Sequence, residues 1–409
     1  MNDVEGFIAP GFERVAELLA HGTTISVGER SRSVDLGSGG GAFAAFVRGE
    51  CVVDIWSGLS APGVRWQQDT TAVIMSATKG LSTLCAHILA DRGALDLDAP
   101  VSRYWPEFAS AGKGGATVTH LLSHQSGAIG VPDADSLLGW DGSGWDDTVA
   151  IAAAIATAPP AWDPGTRHGY HGVTFGWLVG ELVRRISGVS LGTFFRTEVC
   201  EPLGVDGHIG TPKSAQAKVA TVIEWTPRPS SRATLTSIDP DSLAGRSVLA
   251  GAEGNLFADA QGVPRFASFM NTPAVLEAEF GSIGATATAS GLARLYAALA
   301  CGEELVSRRS VDRFAREQVC GRDAVMKVPT RWAIGYTKEP PALIPGLPRQ
   351  HGPNDAAFGH MGAGGQIGLA DPVAGVGCGF VRNHLENQAL PLMGASLVET
   401  LYQCLGAVR

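Results

Sequence analysis

Both ends of this chain read as sheet while its middle reads as helix, and that arrangement constrains the fold more than any other feature. Ala44 to Trp56 forms two strands turning at Arg48-Gly49-Glu50, with Val52, Val53 and Ile55 supplying β-branched residues, and Val73 to Met75 closes this region. Near the other end, Arg331 to Tyr336, Gly364 to Ala370 and Gly375 to Arg382 read as strands, the last two facing each other across Asp371-Pro372-Val373-Ala374. Between them lie helical patterns. One begins at Ser76 and carries Leu81, Leu84, Cys85, Ile88 and Leu89 as far as Arg92-Gly93; others cover Asp146 to Thr157, Thr174 to Ser187 and Ser290 to Ala300. Further helices cover Gly11 to Ala20 and Leu390 to Leu405.

The expected fold is therefore α+β, an α/β sandwich. An antiparallel sheet built from the N- and C-terminal segments (1–75 and 276–409) is flanked by helices, and a mostly helical domain (76–275) is inserted between them. Strands from distant segments meet inserted helices at the domain interface, where a site is expected. Residues Val205 to Gly254 lose periodicity and gain Pro, Ser and Gly, the pattern of a surface excursion that could act as a lid.

Composition narrows the function. A chain of 409 residues with 45% hydrophobic and 17% charged content has ample material for a core, which excludes disorder as its main state. Its 31 basic and 40 acidic residues leave a net charge of −9, the wrong sign for binding nucleic acid or an anionic membrane. The apolar stretch Thr148 to Trp162 is shorter than the roughly 18 to 20 residues that span a bilayer. The first residues are acidic where a secretory leader is basic, so a cytoplasmic protein is expected, free or as a homo-oligomer. Seven scattered cysteines without a CxxC pair read as reduced core residues.

Three serines compete as nucleophile. Gly188-Val189-Ser190-Leu191-Gly192 matches G-x-S-x-G, but that motif needs a strand-to-helix elbow, and here helices flank it on both sides. Ser190 reads instead as a helix N-cap. Ser110 and Lys113 have Ser-x-x-Lys spacing, yet Gly114-Gly115 follow, so a solvated loop is expected. Ser76-Ala77-Thr78-Lys79 opens an apolar helix directly after a strand. The i, i+3 spacing puts the hydroxyl and the amine on one face, and the first turn favours negative charge on a tetrahedral intermediate while disfavouring a charged Lys79. A helix that merely begins with Ser and shows its Lys to solvent would have the same spacing, but the apolar neighbours Met75, Leu81, Leu84 and Cys85 favour burial.

A phenol is a suitable second proton carrier. Tyr104, Tyr296, Tyr336 and Tyr402 occupy apolar or amphipathic settings, whereas Tyr170 lies in the Gly-rich loop Pro164 to Gly172 ahead of a helix. His360-Met361-Gly362-Ala363-Gly364-Gly365 leads into a strand; its glycines either let a ligand approach the backbone or mark a bulge, and glycine content leaves both open. His120 and His124 have helical i, i+4 spacing, but Leu121 stands where a zinc protease carries Glu and no third ligand is evident. They and His168 and His171 read as structural, and no metal or cofactor is expected. Trp140 and Trp145, in a Gly-rich stretch, are candidates for lining an acyl pocket.

Taken in order, Ser76-x-x-Lys79, the run Thr119 to Gly127, Pro164-Gly165-Thr166 leading to Tyr170, and His360-x-Gly362 before a strand resemble the serine β-lactamase and penicillin-binding superfamily, over nearly the whole chain. Within it the chain is similar to the family VIII carboxylesterases related to class C β-lactamases. The resemblance implies Ser76 as acylated nucleophile, Lys79 as its base or base partner and Tyr170 as proton shuttle. It also implies an oxyanion hole from the N–H groups of Ser76 and Ala363, with His360, Gly362 and His171 beside the substrate. His171-Gly172 replaces the family's x-Asn after the tyrosine, and His360 replaces a Lys whose charge meets the carboxylate of a β-lactam. Both departures point to small neutral esters, with acyl transfer, weak β-lactamase or amidase activity, or a non-catalytic binding role as alternatives.

Overall fold

A computed structural model describes residues 3–27, 30–225, 238–302, 304–341, 346–385 and 392–408. Its main sheet is antiparallel and seven-stranded. The strands are β1 (Glu5–Ile8), β2 (Gly40–Val47), β3 (Glu50–Ala61), β4 (Phe358–Met361), β5 (Ile367–Asp371) and β6 (Val376–Arg382), in the order β1-β3-β2-β6-β5-β4, with the short Val64–Arg65 strand added to β3. The chain ends meet at the centre, where Ala44 pairs with Asp54 on one side and Gly379 on the other. This is the α+β sandwich that the patterning predicts.

Local chemistry explains the central hairpin. Arg48 and Gly49 both take positive φ (53° and 87°), the requirement of a two-residue turn whose twist matches its strands. Residues 40–45 of β2 are buried on both faces, so the strand reads as an unbroken run of small and apolar residues rather than an alternation. One face packs α1 (Glu13–His21) and α5 (Leu392–Val408) over Phe43, Val53, Ile55, Leu369 and Phe380. The other carries α4 (Ala289–Cys301), which sits so close that a Cβ on Gly377 would lie 2.1 Å from the Ala297 nitrogen. Beyond α4 lies α2 (Thr78–Asp91), buried from Thr78 to Leu89, and against it α3 (Thr174–Ser187).

The structure corrects several local expectations. β1, β4 and the hairpin of Thr23–Val27 with Arg30–Val34 were not legible as strands. The strand expected over Arg331 to Tyr336 lies at Pro329–Trp332, after which the chain turns. Part of the expected lid is fastened down: Gly207–His208 pairs with Thr286–Ala287, and Lys218 O accepts from Thr71 N at 3.0 Å. Positions 226–237 of that segment, and Leu390 at the expected start of the last helix, lie outside the described residues. Lys113 is buried rather than solvated and donates to the Ser110 and Ala158 carbonyls. Cys301 and Cys320 are exposed, not core residues, and all seven thiols are free. Ser190 caps its helix as expected, accepting from Thr193 N and donating to Glu279 at 2.6 Å. Among the described residues no helix is long and apolar enough to cross a membrane.

Candidate active site

Ser76 sits in a single 3₁₀ turn, Met75–Ala77, that runs directly into α2. Met75 enters it at φ 51°, a left-handed conformation that costs a non-glycine residue on the order of 1 kcal/mol. Contacts on either side hold that turn. Ile74 N donates to Ala285 O at 2.9 Å, and Thr78 Oγ1 accepts from Ala285 N at 3.1 Å. As a first-turn residue, Ser76 keeps a backbone N–H with no intrahelical acceptor.

Lys79 follows one turn later and is fully buried. Its Nζ donates to Gly172 O at 2.8 Å and Ser282 O at 3.0 Å, and among the described residues no carboxylate lies within ion-pairing distance of it. Burial therefore drives its pKa well below the usual lysine range. A neutral amine has two N–H groups and one lone pair; the two carbonyls occupy the N–H groups and leave the lone pair free to take a proton.

Tyr170 approaches from the loop before α3. Its ring lies 4.8 Å from Lys79 Nζ, and it borders the same cavity as Ser76. Burial raises its pKa, so the phenol stays protonated at neutral pH. The ring is stacked on Trp332 (centroids 5.7 Å apart, 13° between planes) and meets the edge of His124 at 5.2 Å.

The third contribution is the turn from β4 to β5. Gly362 N donates to Gln366 O at 2.8 Å, closing the turn, and a Cβ on Gly362 would lie 2.4 Å from the Ile74 carbonyl. Only glycine permits that crossing, which carries Ala363 to the edge of the cavity that Ser76 also borders. His360 donates from Nδ1 to Met361 O at 2.8 Å, and its buried Nε2 has no partner. Burial and the nearby Lys79 push its pKa down to about 3, so it is a neutral imidazole.

These groups face a cavity of about 460 Å³ bordered by Ser76, Tyr170, His360, Gly362 and Ala363. Its apolar side comes from Phe257, Met326, Val328, Pro329 and Trp332. Of its cations, Arg331 is paired with Glu317 and Asp355, and Lys338 donates to the Ala315 and Ala357 carbonyls. A hydroxyl and a phenol on one apolar cavity, with a buried amine one helical turn after the hydroxyl, can carry acyl transfer through a covalent intermediate.

Three expected substrate contacts are elsewhere. His171 is buried and committed, with Nε2 bonded to Ser126 Oγ at 2.9 Å and Nδ1 donating to Gly169 O at 2.8 Å. Trp145 is fully buried among Trp177, Phe269 and Phe280, and Trp140 packs beside it under the Arg265 guanidinium at 3.7 Å; neither lines the cavity. His120 closes a capping box with Thr117, and among the described residues no cluster of His, Cys, Asp or Glu could hold a metal ion. The sequence reading missed the wall hairpin Val319–Arg322 with Pro329–Trp332. Nothing local to it reveals that it packs on a loop some 150 residues earlier.

The sandwich and this site together define a serine-hydrolase class. The β-lactamase family matches residues 15–399, and the chain belongs to that family. It is 34% identical over 368 residues to the esterase/β-lactamase LipL of Mycobacterium tuberculosis (strain H37Rv), covering 85% of this chain and 77% of that protein. A family VIII carboxylesterase structure superposes with a TM-score of 0.80 at 30% identity, covering 98% of this chain and all of the other. A penicillin-binding protein homolog from Caulobacter crescentus gives 0.79 at 32%, with the same coverage. The protein is thus an enzyme of the serine hydrolase β-lactamase family with esterase-named relatives.

Proposed function

We propose that this protein hydrolyses neutral carboxylic esters through an acyl-enzyme on Ser76. The observation that carries the reading is Lys79, buried without a carboxylate one turn after Ser76, with the Tyr170 ring 4.8 Å from its Nζ and on the same cavity as Ser76. Lys79 takes the Ser76 proton as Oγ attacks the ester carbonyl. The oxyanion that forms is held by the N–H groups of Ser76 and Ala363. Tyr170 donates its proton to the departing alkoxide and is reprotonated from Lys79, so the alcohol leaves neutral and the acyl group stays on Ser76. Water then repeats the sequence, Lys79 taking its proton while Ser76 becomes the leaving group; the products are a carboxylic acid and the restored site.

The electrostatics support a neutral substrate. His360 is uncharged where β-lactam binders carry Lys, and Arg331 and Lys338 already have acceptors. The site falls between residues 1–75 with 276–409, which build the sheet, and 76–275, which supply most of the helices, and we take these as the two domains. The experiment is Ser76→Ala with p-nitrophenyl butyrate: the rate is expected to fall at least about a thousandfold, with loss of the fluorophosphonate adduct that mass spectrometry finds on the parent protein. Retained turnover in the variant overturns the reading. Product analysis with added alcohols distinguishes hydrolysis from acyl transfer.

A further inference from the structure

One hairpin, Val319–Arg322 with Pro329–Trp332, touches Tyr170 in two independent ways. Asp323, fully buried at the start of its turn, accepts from Tyr170 N at 3.1 Å with the same oxygen that accepts from Val325 N and Met326 N, both at 2.8 Å. At the other end of the hairpin, Trp332 stacks on the Tyr170 ring. Thr330 links the two ends, donating to Asp323 Oδ2 at 3.5 Å and accepting from Trp332 Nε1 at 3.0 Å, and it shares a hydrogen bond with His168 Nε2 at 3.0 Å. Ala324 N adds a bond to His168 O at 2.9 Å, so the Tyr170 loop is fastened along its length. Met326, Val328 and Pro329, between Asp323 and Trp332, also form part of the apolar wall of the cavity, with Met326 about half exposed.

We propose that this hairpin both sets substrate choice and positions the proton donor. Met326 and Val328 receive the apolar part of a bulky neutral ester, while Asp323 and Trp332 are positioning residues that hold the Tyr170 phenol at Ser76. The proposal rests on the Ser76 acyl-enzyme reading. Backbone and ring of Tyr170 are fixed by separate contacts from one rigid element, so loosening either contact misplaces the hydroxyl without touching Ser76 or Lys79. A misplaced general acid harms poor leaving groups far more than good ones, because p-nitrophenoxide departs without a proton and an alkoxide does not. Misfolding has no such preference.

The test compares ethyl butyrate with p-nitrophenyl butyrate in Trp332→Leu, Trp332→Phe and Asp323→Asn. Trp332→Leu is expected to lower kcat for the ethyl ester at least about 10-fold more than for the p-nitrophenyl ester, and Trp332→Phe, which keeps a stacking ring, to restore most of the difference. Asp323→Asn should act in the same sense. Equal losses on both esters in all three variants, or no loss, overturn the positioning role. For the wall, Val328→Asp is expected to raise KM for p-nitrophenyl octanoate over p-nitrophenyl acetate, or for octyl over ethyl acetate, at least about fivefold; a uniform change across both pairs overturns it. Should Asp323→Asn fail to fold, the Trp332 pair decides alone. If Ser76→Ala is as active as the parent, the underlying reading fails instead of the hairpin's role.

Discussion

Gly362 crosses the carbonyl of Ile74 at a separation that no side chain could share, since a Cβ there would sit 2.4 Å from that oxygen and 3.0 Å from the Met75 Cβ. The crossing joins the edge of the sheet to the turn that bears Ser76, two segments nearly 300 residues apart, and sets Ala363 against the cavity.

Gly362→Ala therefore tests whether this crossing matters to chemistry. The added methyl must push the β4–β5 turn away from Ile74, at a packing cost of about 1–3 kcal/mol. The Ala363 N–H moves with it. The expected outcome is a kcat for p-nitrophenyl butyrate lowered at least about 10-fold with KM little changed, because an N–H that binds the oxyanion acts mainly in the transition state. A loss confined to KM would mean that the turn only shapes the pocket.

Lys79 gives a pH signature. Its folded pKa lies well below 10.5 because burial disfavours the charged form, and in the proposed mechanism the attacking Ser76 hydroxyl needs the neutral amine. Activity is thus absent where Lys79 is protonated, rises as pH climbs through its depressed pKa and levels above it. In Lys79→Arg the guanidinium cannot deprotonate. A loss of at least about a thousandfold is expected, with no recovery up to pH 10. Recovery at high pH would show that another group is the base.

His360 tests substrate charge. With a pKa of about 3 it is neutral at every working pH, and its Nε2 has no partner. His360→Lys places an ammonium at that point of the cavity. Relative to p-nitrophenyl butyrate, kcat/KM for a carboxylate-bearing cephalosporin is expected to improve about 10-fold, the effect of one charge-assisted hydrogen bond of roughly 1.4 kcal/mol. An unchanged ratio would place the selection against anions elsewhere.

What could be read from the sequence was what is local. Ser76 and Lys79 are three residues apart on one helix, and the helices and the β5–β6 hairpin carry their own periodicity and turn residues. Tyr170 stood out because its loop is glycine-rich. β4 was hidden because four residues containing a glycine show no alternation, and it is a strand only because β5 pairs with it. Trp332 was hidden for the same reason, since its role depends on a ring 162 positions earlier. Trp140 and Trp145 misled because a glycine-rich flank resembles a binding loop, whereas here it lets two indoles fold into an aromatic cluster.

Stability should fall in mild acid, and His87 offers the cleanest measure because it lies away from the cavity. Its ring is buried and stacked on Phe314 at 4.1 Å, with Nε2 bonded to Ile334 O at 2.9 Å, and burial lowers its pKa to about 4. Unfolded, it titrates near 6.5. Between those values the unfolded chain binds a proton that the native state refuses, so native stability is intact above pH 6.5 and declines as pH falls toward 4, by about 1.4 kcal/mol per pH unit for each such group. His171, lowered to about 4, and His360, lowered to about 3, add to the same slope. His87→Gln keeps an N–H for the Ile334 carbonyl and removes the titration. Urea unfolding at pH 7 and pH 5 is expected to show a smaller stability difference in the variant, by about 1 to 2 kcal/mol, even if the variant is less stable at both. An identical difference in the two proteins would mean that His87 is already protonated in the native state at pH 5.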